Sequence, residues 1–200
     1  MSDRDTVRKL LEERGETFAE QAHITVRDEP SALFRLLTLC MLQAKPISAD
    51  IAVAALRELN KQGLGTPEKV LSAPRSTFLS AFGRAGYARY DESSTTYLKK
   101  LARVLTDEYD GDLRELRGPD VAKKLQKFDG VGPACADMFL REVQGIWPEV
   151  APVFDKKAIE GAKKLGLPES ADDLAELVDP EDLPRLAAAL VRVALDKTAG

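Results

Sequence analysis

A glycine-centred turn between two helical patterns has residue types and spacing suited to binding a nucleotide. In the segment FDGVGPACADMFLREV (residues 128–143), Gly130 and Gly132 allow backbone amides to approach a ligand closely. The second helix begins at Pro133, so its free amides and positive dipole end point outward, where a phosphate would bind. Asp155 follows this segment and offers a lone carboxylate. The pattern predicts a protein that binds a phosphate backbone and acts on one nucleotide.

The lysines before the turn are open to two interpretations. Lys123, Lys124 and Lys127 precede the glycines and would add attraction for phosphate. A glycine turn between helices is also common without any ligand, and the lysines would then form a solvated face. The turn alone favours the second interpretation.

Apolar periodicity predicts an all-α protein with about ten helices. Apolar residues recur at helical spacing around residues 98–105, 136–143 and 183–194, and no convincing period-2 strand is present. Residues 32–42 are apolar on almost every side, which predicts a central buried helix. The first helix of the glycine turn is expected over residues 119–127, with an inner face made by Val121, Leu125 and Phe128.

Composition excludes several classes of protein. The chain is 44% apolar and 31% charged, which is typical of a soluble globular protein, and no signal-peptide pattern or membrane-length apolar run is found. Two cysteines, Cys40 and Cys135, exclude a disulfide scaffold and a four-cysteine metal site, and both are expected in the core. With one histidine, His23, a His-rich metal centre is not expected. A reducing cytoplasm fits this composition.

The net charge of −4 is unevenly distributed along the chain. Residues 1–166 carry 26 Lys+Arg and 25 Asp+Glu, whereas residues 167–200 carry 3 and 8. The acidity therefore lies in the C-terminal part, and the nearly neutral remainder is compatible with a basic face. The overall charge weighs mildly against tight non-specific DNA binding.

Four motifs in order resemble the helix-hairpin-helix (HhH-GPD) DNA glycosylase superfamily, on its endonuclease III side. DEP at residues 28–30 with the following LFRLLTLCMLQAKPISAD resembles the family's entry helix. Residues 98–113, ending YDGDL, resemble the helix before the hairpin. FDGVGPACA resembles the hairpin pattern Leu-Pro-Gly-Val-Gly-x-Lys-Thr-Ala, and VFDKKAIEGAKKLGL resembles Val-Asp-Thr-His followed by a helix.

The resemblance implies two helical subdomains that flank a DNA-binding cleft. One subdomain is expected over residues 24–146 and ends with the hairpin. The other combines residues 1–23 with 147–200, and residues 147–152 are the expected crossover. Asp155 is implied as the catalytic residue, which stabilises a sugar cation or activates a water. The alternative is that Asp155 only caps a helix over residues 156–165.

The resemblance also implies residues that contact DNA. Gln43 matches a glutamine that enters the gap left by an extruded nucleotide, although it is also a plain polar residue at a helix end. The residues themselves, and not the resemblance, suggest a further contact: Tyr87 and Arg89 lie in a glycine-led aromatic and basic loop that would stack against bases, with simple packing as the alternative for Tyr87. In the hairpin the implied DNA contacts are Lys127, Gly130, Val131 and Gly132.

Departures from the family pattern are informative. Ala134 occupies the position of the lysine that forms a Schiff base in bifunctional members, so strand cleavage is not expected. Asp129 adds a negative charge beside the hairpin, and Pro133 removes one amide donor. Lys156 and Lys157 replace Thr-His after the catalytic acid, and the four-cysteine loop of many relatives is not expected.

Three hypotheses follow from the sequence. The first is a monofunctional DNA glycosylase of base excision repair, acting on double-stranded DNA with a modified base or abasic site. The second is a catalytically inactive module that recognises distorted or abasic DNA, and the third is a helical protein-interaction domain without DNA affinity. The first hypothesis is favoured. It implies a cytoplasmic, nucleoid-associated monomer without an iron–sulfur cluster, with room for a monovalent cation at the hairpin.

Overall fold

The computed structural model describes residues 1–197, and every regular element among them is helical. This confirms the predicted all-α class. Short 3₁₀ helices occur at Ala88–Tyr90, Leu113–Leu116, Pro148–Val150 and Pro180–Asp182. The α-helices described are α1 (Asp3–Arg14), α2 (Phe18–Gln21), α3 (Pro30–Gln43), α4 (Ala49–Lys61), α5 (Pro67–Ser72), α6 (Arg75–Ala85), α7 (Asp91–Tyr109), α8 (Val121–Leu125), α9 (Pro133–Val143), α10 (Lys156–Lys164), α11 (Ala171–Ala175) and α12 (Leu183–Leu195).

The chain divides into two compact units. The central unit is Ala19–Phe139, and the terminal unit combines Met1–Phe18 with the chain from Leu140 onward. The sequence placed these limits at residues 24 and 146. The predicted crossover at 147–152 instead forms the 3₁₀ helix Pro148–Val150 and the extended chain after it, and all of it lies within the terminal unit.

Helix α3 forms the core of the central unit. Every residue from Ala32 to Leu42 except Arg35 is buried, as the apolar pattern predicted. Around it, α4 packs against α3 and α6, and α5 packs against α7. Cys40 and Cys135 are buried in this unit, which confirms their expected place in the core.

The terminal unit is built on close contact between α10 and α12. Gly161 of α10 lies so near the backbone of α12 that an added Cβ would be 1.9 Å from the carbonyl oxygen of Leu190. Helix α1 also packs against α12, and Ser2 begins α1 with a capping box. Within residues 1–197 no helix combines the length and apolar character required to cross a bilayer.

Candidate active site and nucleic-acid interface

The glycine turn forms a hairpin between α8 and α9 in the central unit. Helix α8 spans Val121–Leu125, shorter than the predicted residues 119–127. Successive bonds from the Lys127 amide to the Lys124 carbonyl (3.2 Å) and from the Phe128 amide to the Leu125 carbonyl (3.2 Å) continue the winding. Val121, Leu125 and Phe128 are buried, which confirms the predicted inner face of this segment.

The two hairpin glycines have different structural reasons to be glycine. Gly130 has φ +87°, and an added Cβ would be 2.7 Å from Cγ of Tyr97. Gly132 has ordinary backbone angles and nothing within 4 Å of an added Cβ. Gly130 is therefore required by the fold, whereas the open space outside Gly132 leaves room for a ligand close to the backbone.

Free amides lie at the start of α9, as its position predicts. Within residues 1–197 the amides of Gly132 and Ala134 donate to no acceptor, and both residues are exposed.

Val131 differs from its predicted role as a DNA contact. Its side chain is 5% exposed and its amide donates to the Phe128 carbonyl (3.1 Å), so Val131 is a packing residue of the turn and offers neither group to DNA.

Two lysines, Lys100 of α7 and Lys45 just after α3, lie near the hairpin or the ring that supports it. Lys100 lies 3.5 Å from Asp129, which partly offsets the negative charge that the sequence flagged there. The ammonium groups of Lys45 and Lys100 lie 5.3 and 5.9 Å from the ring centroid of Tyr97, the residue that supports Gly130. Sequence reasoning missed this group because its members are distant in the chain.

The remaining predicted DNA contacts in the central unit are a mixed set. Lys127 and Arg89 are exposed, and Gln43 is half-buried at the last position of α3, so all three retain surface for a ligand. Tyr87 does not. It is 0% exposed, and its hydroxyl donates to the carbonyl oxygen of Leu42 at 3.0 Å. The stacking role predicted for Tyr87 is corrected to a core role, since no face of its ring is open to a base.

Asp155 begins α10 in the terminal unit, and the structure shows the capping role that the sequence left as an alternative. Its Oδ1 accepts from the amide of Ala158 at 3.0 Å. Its Oδ2 lies 2.9 Å from Nη1 of Arg141. The side chain of Asp155 is 13% exposed, so the carboxylate is held on both oxygens but is not sealed from solvent. A capping carboxylate with a residual open edge is still able to face a substrate.

The chain before Asp155 is fixed by Gln144, which the sequence analysis did not single out. The Gln144 side chain donates from Nε2 to the carbonyl of Val153 (2.8 Å). Its Oε1 accepts from the backbone amide of Val153 (2.8 Å). Nε2 also donates to the Arg141 carbonyl at 2.9 Å. Gln144 is 1% exposed. These bonds tie the extended segment before α10 to the end of α9 and thereby restrict where Asp155 can lie.

Comparison with known sequences gives partial matches. No protein-family model matches the chain. Two Arabidopsis thaliana proteins, endonuclease III homolog 1 and homolog 2 (both chloroplastic), are 36% identical over 97 residues and 35% identical over 100 residues. These matches cover 46% and 48% of this chain but 24% of each relative, so the chain spans about a quarter of the length of these relatives.

Comparison with solved structures covers nearly the whole chain. A trapped endonuclease III–DNA covalent intermediate, an estranged-adenine complex, matches with a TM-score of 0.53 and 20% identity, over 96% of this chain and 85% of that one. A non-covalent endonuclease III–DNA complex matches with a TM-score of 0.53 and 19% identity over the same shares. The chain has an endonuclease III-like helix-hairpin-helix fold.

An iron–sulfur cluster does not fit the residues of this endonuclease III-like chain. The sequence has two cysteines, whereas such clusters are held by four ligands. Cys40 and Cys135 are buried within α3 and α9, and burial raises the pKa of the Cys135 thiol to about 12, so it is not poised as a thiolate ligand. Within residues 1–197 no group of three or more His, Cys, Asp or Glu side chains is placed to hold a metal ion.

Ala134 is the second residue of α9 in this endonuclease III-like hairpin, and it is exposed. A methyl group there has no nucleophilic atom, so this position cannot form an imine with a sugar.

His23 occupies a connecting turn of the central unit. It is exposed, with φ +60°, in the turn between α2 and α3.

Proposed function

We propose that this chain is a monofunctional DNA N-glycosylase of the helix-hairpin-helix superfamily that acts in base excision repair. Its substrate is double-stranded DNA containing a damaged or mismatched base. The target nucleotide leaves the base stack before the reaction, because its glycosidic bond is not accessible within the duplex. The endonuclease III-like fold and the partial identity to two endonuclease III homologs support this assignment.

One observation carries the proposal: the chain combines a fixed, partly exposed Asp155 carboxylate with a glycine hairpin that has free backbone amides. The carboxylate stands at the start of α10 with both oxygens held and 13% of its side chain exposed. The hairpin presents the unbonded amides of Gly132 and Ala134, the group type that binds a DNA phosphate. One feature supplies a fixed charge and the other a phosphate contact, and a base-excising enzyme needs both.

The chemistry follows from charge. When the bond between the base and the sugar breaks, its electron pair leaves with the base and positive charge develops at C1′ of the deoxyribose. A carboxylate already fixed beside that carbon stabilises the charge without reorganisation. Water then adds to C1′, and the proton that it loses goes to the departing base, which gives an abasic site and the free base. Ala134 supplies no amine for a further step, so the DNA strand stays intact.

A second function is favoured by one specific contact. The guanidinium of Arg141 lies 2.9 Å from the Asp155 carboxylate and offsets its negative charge. Together with Ala134, this contact favours a catalytically inactive module that binds distorted or abasic DNA through the hairpin. The two functions share DNA as partner and differ in base release.

The deciding experiment is a base-release assay with purified protein and a panel of lesion-bearing duplexes. The wild type is expected to release a base from at least one substrate, with strand breaks only after alkali. Asp155→Asn retains a capping side chain but removes the charge, and is expected to lower release by about 100- to 1000-fold. The change leaves the Arg141 guanidinium without its anion and is expected to lower stability. Thermal unfolding therefore checks that the variant is still folded under the assay conditions.

A matched control is available in the central unit. Asp112 also accepts from a backbone amide (Arg114, 3.0 Å) and pairs with a guanidinium (2.8 Å). Asp112→Asn is therefore expected to change stability while base release stays at the wild-type rate. Equal release by wild type and Asp155→Asn would overturn the catalytic assignment. Tight binding to an abasic-site analogue without release from any lesion would favour the inactive module, and no DNA affinity at low salt would exclude both functions.

A further inference from the structure

Arg141 is an unusual residue for the interior of this chain. Its side chain is 3% exposed, on the last turn of α9, and its charge is matched by Asp155 at 2.9 Å. Burying a guanidinium is costly unless a partner with good geometry is present, and the Arg141 Nε atom is buried without a hydrogen-bond partner. The carboxylate of Asp155 is the compensating partner that the structure shows for this buried guanidinium.

The ring of Phe18 limits the orientation of the guanidinium. The Arg141 Cζ atom lies 5.3 Å from the centroid of this ring, and the Arg192 Cζ atom lies 4.1 Å from the same centroid. Arg192 also donates to the carbonyl of Glu16, in the segment just before Phe18. Phe18 is 4% exposed, so the ring beside the Arg141 guanidinium is itself fixed by packing.

Two groups contact the Asp155 carboxylate, and a third residue fixes the backbone before it. The Ala158 amide binds Oδ1 and the Arg141 guanidinium binds Oδ2. Gln144 fixes the backbone two residues earlier through both polar groups of Val153. The amide of Ala158 would hold a capping aspartate in any helix. The guanidinium is the contact beyond ordinary capping, and it selects one orientation of the carboxylate.

We propose that Arg141 is a positioning residue that sets the orientation of the Asp155 carboxylate towards the substrate. This inference rests on the proposed glycosylase function. The pair has no net charge, so its effect on a developing sugar cation depends on the carboxylate lying nearer to C1′ than the guanidinium does. Misplacement of a catalytic group by about 1 Å costs on the order of 100-fold in rate. The orientation held by Arg141 is therefore needed in addition to the charge of Asp155.

The test compares Arg141→Met and Arg141→Lys with wild type in single-turnover base release, with duplex affinity measured in parallel. Arg141→Met is expected to lower the rate on the order of 100-fold, with the Kd for lesion DNA unchanged, because the carboxylate turns without leaving the helix start. Arg141→Lys keeps a charge but not the planar fork, and is expected to recover part of the rate. The double variant Arg141→Met, Asp155→Asn is expected to be no slower than Asp155→Asn alone, because the two residues act as one unit.

The control is Arg185→Met in the same unit. Arg185 pairs with Asp182 (2.8 Å) and donates to the Gly15 carbonyl, with no contact to Asp155. Its loss is expected to lower thermal stability and leave the rate unchanged. If Arg141→Met does not fold, Arg141→Lys tests the positioning role instead. A wild-type rate for Arg141→Lys would show that the planar guanidinium is not needed to orient Asp155.

The outcomes separate this inference from the function on which it rests. An active wild type with Arg141→Met or Arg141→Lys at the same rate overturns the positioning role and leaves the glycosylase assignment standing. A loss of DNA affinity in step with stability, without a loss of single-turnover rate, assigns Arg141 to folding alone and also overturns it. A wild type that releases no base from any lesion overturns both.

Discussion

Gly130 lies directly against the ring of Tyr97. A Cβ built on Gly130 would be 2.7 Å from Cγ and 2.9 Å from Cδ1 of that ring, and the backbone has φ +87°. Both the neighbour and the backbone angle therefore exclude a side chain at this position. The first hairpin glycine belongs to the fold, whereas Gly132 faces open space and belongs to the proposed DNA surface.

This difference predicts opposite results for the two hairpin glycines. Gly130→Ala combines a strained backbone with a clash and is expected to lower the free energy of unfolding by about 2 to 4 kcal/mol. Gly132→Ala is expected to change stability by less than about 1 kcal/mol and to weaken binding to duplex DNA, because its methyl group projects where a phosphate would approach. Urea unfolding and a DNA titration measure the two effects. A Gly132→Ala variant with wild-type affinity would remove this turn from the DNA surface.

Gly161 predicts a large effect in the terminal unit. An added Cβ would lie 1.9 Å from the carbonyl oxygen of Leu190, so α10 and α12 must move apart to accept Gly161→Ala. We expect a loss of about 3 kcal/mol or more, measured by urea unfolding.

The matched control is Gly83 in α6, where nothing lies within 4 Å of an added Cβ. Gly83→Ala is expected to raise stability by about 0.5 to 1 kcal/mol through helix propensity. A tolerated Gly161→Ala would show that the two helices are not in close contact.

The sequence predicted features that depend on neighbours in the chain. Residues 32–42 are apolar on almost every side and form the buried part of α3, and the glycine turn forms the hairpin. The alternative role of Asp155 as a helix cap was also readable, because a cap is set by residues within one turn.

Features set by long-range packing could not be read in the same way. Tyr87 follows a glycine in a loop, which suggested exposure, yet its hydroxyl reaches the carbonyl of Leu42 in α3 and its ring is buried. Arg141 reads as an ordinary charged residue late in an amphipathic helix, and only the fold brings it to Asp155. Such pairs have no local periodicity, so composition and spacing do not reveal them.

Tyr87 predicts a measurable cost and pH dependence. Tyr87→Phe leaves the Leu42 carbonyl, at the end of α3, without its donor and is expected to cost about 1 to 3 kcal/mol at neutral pH. Burial raises the pKa of Tyr87 to about 12 from an ordinary value of 10.0. The neutral phenol is thus favoured in the folded state, and its contribution is fully present below about pH 10 and is lost as pH rises towards 12.

The difference in unfolding free energy between wild type and Tyr87→Phe should therefore narrow as the pH rises from about 10 towards 12. Tyr90→Phe is the control, because Tyr90 is half-buried and its loss is expected to change stability by less than about 0.5 kcal/mol at any of these pH values. A constant difference across the alkaline range would show that Tyr87 is not buried as described.

Ala134 predicts a gain of chemistry from one substitution. Wild type is expected to give no borohydride-trappable adduct with lesion DNA, because no amine occupies this position. Ala134 is exposed at the second residue of α9, so Ala134→Lys fits without a clash and places an amine after the hairpin. That amine would attack C1′, displace the base and form an imine with the opened sugar, which borohydride reduces to a stable amine.

Denaturing gels of the borohydride-treated mixtures detect the covalent protein–DNA adduct. Ala134→Lys with Asp155→Asn should give none, since base loss still needs the carboxylate, and an adduct in the wild type would show that a different amine reaches the sugar.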